Sequence, residues 1–495
     1  DSDESSSVTT QSGSYAAKSP VVVKGPIQPG SEIQAPQPAV PVPDGWSTEE
    51  FFVGGTATSF EDGGDQPSDG MWSATPADEA EYLTRTIVHR PPAEDFSGNV
   101  LVEWLNVSAV EASPDWAYLN EEVIREGHAY VQVSAQEQGV IGGETILEAE
   151  IDEDVAAEAG ADASALPGDG GLVGSDPERY GELVHPGDEF ALDIFSQVGK
   201  AVAEDPAILG GLEVENVIGL GESQSAFFLT TYANAIQPMD PTYDGLIIHS
   251  RGGAAAPLQG LGDVDREAES AIESDAVLIR TDLDIPVLVF QAETDMTVLG
   301  YAGARQDDTD LIRIWEAAGT AHADAQLIRA ITGGPRDPSA GSLLGCEDPI
   351  NTGPHKEVLS AGLHGFVEWV AGGEAPPKSP RFEIEDGTDG EPQLVRDENS
   401  IVIGGIRTPL VDVPVNAPIG DPPEGLDGGE VSLCALFGQT LPFDTETIVA
   451  MYGTPEVYLE QFAASAEKAV QAGFLLQPDA DALIVEAQQN AELFG

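Results

Sequence analysis

Residues 215–233 read ENVIGLGESQSAFFLTTYA, and this stretch decides the fold class. An apolar, β-rich run over residues 216–220 meets Gly221, and an apolar run that can form a helix follows Ser223. A serine at such a joint is typical of a nucleophile elbow, in which a tight strand-to-helix turn raises the hydroxyl above the carboxyl edge of the sheet. Ser225 stands where glycine is commoner, yet it is small enough for strand and helix to approach closely. The alternative interpretation is a serine that only caps a helix.

A nucleophilic serine needs a histidine as its base and a carboxylate that orients the histidine. The strand-like run PVLVFQ is followed by Glu293 and Asp295, and the run IRIWEAAG is followed by His322. Parallel strands end at one edge of their sheet, so we expect these side chains to reach Ser223. Asp295 is the preferred acid because it lies four residues past its strand, where it can reach a neighbouring loop. Glu293 is the alternative.

Acyl transfer also needs hydrogen-bond donors for the oxyanion. The N–H of Gln224, directly after the proposed nucleophile, is one candidate. The second donor is expected from the loop after the strand-like run NVLVEW, where the candidates are Asn106, Val107 and Ser108. Three more side chains near this edge are expected to line the pocket: Trp104, Glu222 and His249.

The rest of the chain alternates between strand-like and helix-like segments. Strand-like runs include EYLTRTIVHRP, HAYVQVSAQ and DGLIIHSR, and helix-like runs include WAYLNEEVIREG, EFALDIFSQVGKAVAED and HKEVLSAGLHGFVEWVAGG. This alternation predicts an α/β fold with a mostly parallel, doubly wound sheet and helices on both faces. We expect a disordered tether and extended lead-in over residues 1–44, a core over 45–374 and a C-terminal α+β extension over 375–495 that packs on the core. Residues 141–187, acidic and glycine-rich, are predicted to form a lid-like insertion.

Several longer strings resemble those of bacterial alpha/beta hydrolase domain-containing proteins, from about residue 45 to the C-terminus. They include NVLVEWLNVSAV, DPERYGELVHPGDEFALDIFSQ, GLGESQSA, ARQDDTDLIRIWEAAGTAHAD and CALFGQTLPF. The resemblance implies an α/β-hydrolase fold and serine-dependent hydrolysis of carboxylic esters, without a metal or an organic cofactor. It also implies Ser223 as the nucleophile, His322 as the base and an acid within residues 293–295. The resemblance does not indicate which ester is the substrate.

The chain is strongly acidic, with 20 basic and 87 acidic residues and a net charge of −67. Such a surface repels nucleic acids and anionic membranes, so neither is an expected partner. No uncharged apolar run reaches the length of about 18 residues that a membrane-spanning helix needs. An acidic shell suits concentrated salt, where screening weakens repulsion between charges. We therefore expect a secreted or extracytoplasmic protein of a high-salt or marine environment. An acidic but ordinary secreted protein is the alternative.

The two cysteines, Cys346 and Cys434, fit an oxidising compartment if they form a disulfide bond. Two separate buried thiols are the alternative. The sequence offers no metal motif, because it has no HExxH pattern and no closely spaced pairs of histidine or cysteine.

Together these features predict a carboxylic ester hydrolase that forms an acyl-enzyme on a small-molecule or polymeric ester. Two hypotheses remain beside it. The same side chains could serve an acyltransferase, a lactonase or an amidase. A non-catalytic secreted binding protein could also use a hydrolase scaffold. The sequence does not indicate an oligomeric state.

Overall fold

A computed structural model describes residues 22–27, 33–143, 170–261, 275–332, 336–387, 390–423 and 433–495. Its main sheet contains β1 (Val22–Lys24), β2 (Ser47–Asp62), β3 (Ala74–Arg90), β4 (Asn99–Trp104), β5 (Ala129–Val133), β6 (Asn216–Glu222), β7 (Gly245–His249), β8 (Val287–Gln291) and β9 (Ile312–Glu316). The strand order across this sheet is β1-β2-β3-β5-β4-β6-β7-β8-β9.

Two kinds of strand pairing divide the sheet. The pairs β1–β2, β2–β3 and β3–β5 are antiparallel, and β2 and β3 form a long hairpin. All pairs from β5 to β9 are parallel. The predicted mostly parallel sheet is therefore confirmed, with an antiparallel hairpin added at one side.

The helices cover both faces of the sheet. In chain order they are α1 (Pro114–Glu126), α2 (Glu137–Ile141), α3 (Gly171–Ser175), α4 (Pro177–Tyr180), α5 (Ala191–Glu204), α6 (Gln224–Thr231), α7 (Glu293–Thr297), α8 (Ala325–Thr332), α9 (His355–Val370), α10 (Pro409–Asp412), α11 (Leu433–Leu436), α12 (Thr445–Tyr452), α13 (Pro455–Gln471) and α14 (Gln477–Gln489). A π-helical turn over Tyr232–Ile236 continues α6.

Side chains alternate between two hydrophobic clusters along the parallel strands, as expected for strands that are buried on both faces. In β8, Val287 and Val289 belong to the cluster that contains residues of α5 and α6. Leu288 and Phe290 belong to the cluster that contains residues of α1 and α9. The helices α5 and α6 therefore pack on one face, and α1 and α9 pack on the other.

The parallel arrangement places the ends of β4, β6, β7, β8 and β9 along one edge. Residues that directly follow these strands come from loops distant in sequence but lie side by side in space. Open α/β sheets bind their ligands at this carboxyl edge, and the residues singled out above follow these strands.

The C-terminal part adds two small antiparallel sheets and most of the later helices. The strand pairs are β10 (Ile384–Asp386) with β11 (Pro392–Leu394), and β12 (Asn416–Ile419) with β13 (Gln439–Pro442). Several of its apolar side chains join the main core, among them Phe382, Ile401 and Val411. The helices α12, α13 and α14 share a separate apolar cluster.

The predicted division of the chain into a tether, a core, a lid and an extension remains a prediction. Residues 1–21 and 28–32 of the proposed tether lie outside the described residues, as do residues 144–169 of the proposed lid. Within the lead-in, Val22–Lys24 forms the edge strand of the main sheet. None of the helices in the described ranges is long and apolar enough to cross a membrane.

A disulfide bond joins Cys346 to Cys434, so the pairing expected from the sequence is confirmed. The bond ties the loop after a 3₁₀ helix (Pro338–Leu344) to α11.

Replacing both cysteines with serine should lower the free energy of unfolding by about 4 kcal/mol, because the bond closes a long loop and restricts the unfolded chain. The two cysteines are 88 positions apart. Urea unfolding of the double variant beside the oxidised wild-type protein measures the difference. A loss smaller than about 1 kcal/mol would contradict the stabilising role.

Candidate active site

Ser223 occupies a strained turn between β6 and α6. Its φ of 58° and ψ of −117° lie in a region that residues with a side chain rarely adopt. The turn needs small neighbours, because a Cβ atom on Gly221 would lie 2.8 Å from the Cβ of Ser225. Ser223 is partly exposed between the buried Glu222 and Gln224. The turn therefore presents the hydroxyl at the carboxyl edge of the sheet.

His322 links this hydroxyl to a buried carboxylate. Its Nε2 atom lies 2.8 Å from Ser223 Oγ, and its Nδ1 atom lies 2.7 Å from Asp295 Oδ1. The other carboxylate oxygen of Asp295 accepts a hydrogen bond of 2.6 Å from the N–H of Ala292, which fixes the side chain at the start of α7. Hydroxyl, imidazole and carboxylate thus form one continuous hydrogen-bonded chain.

Glu293, the alternative acid, points elsewhere. One of its carboxylate oxygens accepts a hydrogen bond from the N–H of Gly319, and the other accepts from the N–H of Gly420 and from Arg396. Burial raises the pKa of Glu293, and the nearby Arg396 opposes this effect. Both oxygens of Glu293 are therefore committed to joining the loops after β8 and β9 to the C-terminal part, so the side chain is not available to orient His322.

Glu222, the residue before Ser223, places a second carboxyl group beside the imidazole. Its Oε1 atom lies 3.2 Å from His322 Nε2, and its Oε2 atom accepts a hydrogen bond of 3.3 Å from the side chain of Asn106. Burial raises the pKa of Glu222 to about 8, against the opposing effect of His322. At neutral pH a carboxyl group with this pKa competes with His322 for one proton.

The pKa of His322 is set by opposing effects. Burial disfavours the imidazolium form. The Glu222 carboxylate and the hydrogen bond with Asp295 outweigh burial, so the pKa of His322 lies above its ordinary value. The imidazole is thus more basic than that of an ordinary histidine side chain.

The four candidate oxyanion donors differ in their availability. The N–H of Gln224 has no acceptor in the part of the chain that the structure describes, and it lies at the start of α6. The N–H of Val107 donates to Gln224 Oε1 at 3.1 Å, and the N–H of Ser108 donates to Asn106 Oδ1 at 2.8 Å. The N–H of Asn106 donates to the carbonyl of Ala112. Gln224 N–H is therefore available as far as the described residues show, and Val107 N–H becomes available if the Gln224 side chain moves.

Two of the predicted pocket residues do not line an open pocket. Trp104 is fully buried and packs against Phe195 and Phe228, with ring centroids 4.9 and 5.1 Å away. His249 is also fully buried, and both of its ring nitrogens have partners in Asp115 and His355. Each is the last residue of its strand, and its side chain points into a helix-covered face instead of toward the edge.

Thr294 is a site residue that the sequence analysis missed. Its hydroxyl oxygen accepts the N–H of His322 at 3.1 Å and donates to the carbonyl of Gly420 at 2.6 Å. The sequence signal for Thr294 was its position between the two candidate acids, Glu293 and Asp295, which places its hydroxyl in the same loop.

One group of potential metal ligands occurs among the described residues, formed by Glu122, Glu126 and His364. Their ligand atoms lie within 4.8 Å of one another, in the carboxyl-terminal halves of α1 and α9. Glu122 already pairs with His364 at 2.8 Å and with Arg125. These contacts form a salt-bridge cluster between α1 and α9.

Comparison with solved structures finds esterases at low similarity. A fungal esterase from Rhizomucor miehei is 13% identical, with a TM-score of 0.28 over 58% of this chain and 79% of that chain. An esterase from Pyrobaculum calidifontis is 13% identical, with a TM-score of 0.27 over 53% and 81%. Acetyl xylan esterase 1 from a Thermoanaerobacterium species is 10% identical, with a TM-score of 0.25 over 52% and 80%.

Comparison at the level of sequence is more informative. No curated protein sequence matches the chain significantly. The family model described as "Alpha/beta hydrolase domain" matches residues 23–485, which is most of the chain. The chain therefore belongs to the alpha/beta hydrolase family.

Proposed function

We propose that this protein is a carboxylic ester hydrolase with Ser223 as nucleophile, His322 as general base and Asp295 as the acid that orients the base. The observation that carries the proposal is the hydrogen-bonded chain from Ser223 Oγ through both nitrogens of His322 to Asp295. Serine, acid and histidine also follow one another along the sequence in the order expected for this fold.

In the first half of the reaction, His322 Nε2 takes the hydroxyl proton while Ser223 Oγ attacks the ester carbonyl carbon. The resulting tetrahedral intermediate collapses as its bond to the alkoxy oxygen breaks. The proton on Nε2 passes to that oxygen, and the alcohol leaves. Ser223 is then esterified by the acyl group.

In the second half, water replaces the alcohol. His322 takes a proton from the water, whose oxygen attacks the acyl carbon, and the same proton returns to Ser223 Oγ as the ester bond breaks. Asp295 keeps the Nδ1–H tautomer of His322 and stabilises the imidazolium formed in each half. The products are a carboxylic acid and the regenerated enzyme.

The oxyanion of each intermediate binds to main-chain N–H groups. The N–H of Gln224 is the first donor, because it lies at the start of α6 and none of the described residues accepts a hydrogen bond from it. The N–H of Val107 is the second, and the substrate oxygen takes the place that Gln224 Oε1 occupies in the resting protein. The N–H of Gln224 is in place before the reaction begins and stabilises developing charge without reorganisation, whereas the N–H of Val107 becomes available when the Gln224 side chain moves.

Glu222 adjusts the pKa of His322, the proposed base. Its carboxyl group and the imidazole of His322 share a proton at neutral pH, so the neutral base exists together with a protonated Glu222. A positive charge on His322 lowers the pKa of Glu222, and the ionised Glu222 carboxylate raises the pKa of His322, so the two charged forms stabilise each other.

Two alternatives use the same residues differently. An acyltransferase, lactonase or amidase would share the acyl-enzyme but differ in acceptor or scissile bond, and product analysis with and without added alcohol separates transfer from hydrolysis. A non-catalytic binding protein would not need the hydrogen-bonded chain at Ser223. The presence of that chain favours an enzyme.

We also propose that the protein works outside the cytoplasm in salt-rich surroundings. The disulfide bond and the acidic composition support this location. Fractionation of the source cells and esterase assays in low and high KCl test it. Recovery from the cytoplasm, or inactivation by high KCl, would contradict it.

Replacing Ser223 with alanine should lower kcat for a short p-nitrophenyl ester by at least about 10⁴-fold, because no acyl-enzyme can form. The circular dichroism spectrum should stay unchanged. A fluorophosphonate probe should label the wild-type protein at Ser223 and leave the variant unlabelled. Undiminished ester hydrolysis by the variant would refute the assignment.

A matched pair of variants should show which of the two candidate acids, Asp295 or Glu293, orients His322. Asp295→Asn should lower kcat by about 10²–10⁴-fold with little loss of stability, because His322 loses the partner that fixes its tautomer. Glu293→Gln should retain most of its activity and lose about 1–3 kcal/mol of unfolding free energy, because a buried contact with Arg396 is weakened. Kinetics and urea unfolding of both variants measure the contrast. The reverse pattern would make Glu293 the acid.

Replacing Glu222 with glutamine should move the acid limb of the pH profile of kcat/KM to lower pH. The Glu222 carboxylate raises the pKa of His322, and the neutral imidazole is the active form. Without the carboxylate the pKa falls, so His322 stays neutral to lower pH and activity persists there. A limb that stays in place or moves to higher pH would show that Glu222 does not tune the base.

A further inference from the structure

A pair of histidines lies fully buried behind the candidate active site. His249 ends β7, and His355 is the first residue of α9. Their Nε2 atoms are 2.6 Å apart, which requires that one donates a hydrogen bond and the other accepts it. His249 Nδ1 lies 2.8 Å from Asp115 Oδ1, and His355 Nδ1 lies 2.9 Å from the carbonyl oxygen of Ala321.

The carbonyl at one end fixes the direction of all three hydrogen bonds in this series when both histidines are neutral. A carbonyl oxygen can only accept, so His355 Nδ1 carries a proton and donates to Ala321. The Nε2 atom of a neutral His355 then accepts from His249. The Nδ1 atom of a neutral His249 must in turn accept, so Asp115 donates from a protonated carboxyl group.

Burial favours this uncharged arrangement. It raises the pKa of Asp115 to about 8, lowers the pKa of His249 to about 3 and lowers the pKa of His355 well below its ordinary value. The second oxygen of Asp115 has no hydrogen-bond partner among the described residues, which an ionised carboxylate would tolerate poorly. The titratable groups that face these three residues are Glu103, Tyr118, Tyr130, Glu222, Asp295, His322 and Glu357.

The chain ends on the peptide group that directly precedes the proposed base. The carbonyl of that peptide belongs to Ala321 and accepts from His355, and its N–H belongs to His322 and donates to Thr294 Oγ. Both ends of one peptide plane are therefore held. The direction in which the imidazole of His322 leaves the backbone depends on that plane.

We propose that Asp115, His249 and His355 are positioning residues that hold the His322 loop through an uncharged hydrogen-bonded relay. The inference rests on the proposed ester hydrolysis and adds a second support to that of Asp295. An uncharged relay suits its place, because a cationic histidine pair would repel the imidazolium that forms on His322 during catalysis.

A pair of substitutions at Asp115 tests the relay. Asp115→Ala removes the donor to His249 and should lower kcat by about 10–100-fold with KM nearly unchanged, because a misplaced base slows the chemical step. Asp115→Asn keeps a donor in the side-chain amide and should restore kcat to within about threefold of the wild-type value. An ion pair between Asp115 and His249 would instead make both variants equally slow.

His128 supplies a matched control. It is buried at the start of β5, at the opposite edge of the sheet, and its Nδ1 atom lies 2.7 Å from Ser97 Oγ. Burial lowers its pKa to about 4, as burial lowers that of His249. His128→Gln should therefore leave kcat and its pH profile unchanged. Equal losses of kcat in His128→Gln and Asp115→Ala would reduce the relay to general core stability and overturn the proposal.

Nitrogen-15 NMR of the wild-type protein decides the matter even if Asp115→Ala does not fold. All seven histidines of the chain are observable targets, and at neutral pH we expect a proton on Nε2 alone in His249 and on Nδ1 alone in His355. Any other protonation of this pair, a kcat of Asp115→Ala within twofold of wild type, or no rescue by asparagine overturns the relay.

The same spectra separate this inference from the proposed function. If the wild-type protein shows neither ester hydrolysis nor fluorophosphonate labelling, the proposed function fails. The proton on His322 Nδ1 should resonate far downfield, because it is hydrogen-bonded to Asp295. This signal then reports the position of the His322 imidazole independently of any activity. Its loss in Asp115→Ala and its retention in Asp115→Asn would still support the relay, and its retention in both would overturn it.

Discussion

Ser223 Oγ can lie 2.8 Å from His322 Nε2 only because β6, β8 and β9 run in the same direction and end at one edge. The chain separates this serine and histidine by 99 positions, and the sheet brings them together. A change in the register of one of these strands would move its loop and break the contact. The site therefore depends on parallel pairing, and the two apolar clusters on the faces of the sheet hold that pairing in place.

Acidic residues have different roles outside and inside this protein. On the surface, excess carboxylates are solvated and raise solubility. Near the carboxyl edge, several buried carboxyl groups pair with some of the 20 basic residues of the chain. Glu316 pairs with Arg305 and Arg381, and Glu293 pairs with Arg396. The few basic side chains thus pair with buried carboxylates, where an unpaired charge would cost the most folding free energy.

The sequence predicted the parallel sheet and the positions of Ser223, Asp295 and His322 at its carboxyl edge, because both predictions follow from local sequence patterns. Apolar runs mark buried strands, and a residue that follows a parallel strand lies at the carboxyl edge. The same rules could not predict the side-chain directions of Trp104 and His249. Each ends a strand, and whether it faces the edge or a helix depends on packing partners from distant segments. The role of Glu293 was equally hidden, since its partner Arg396 is 103 positions away.

The hydrogen bonds that Gly420 makes with Glu293 and Thr294 also affect when the site is completed during synthesis. A nascent chain can form the parallel strands and expose Ser223 long before residue 420 leaves the ribosome. Until then, the loop that carries Asp295 lacks part of its support, and so does the peptide that precedes His322. Hydrolytic competence should therefore arise late in translation, after most of the core has already folded.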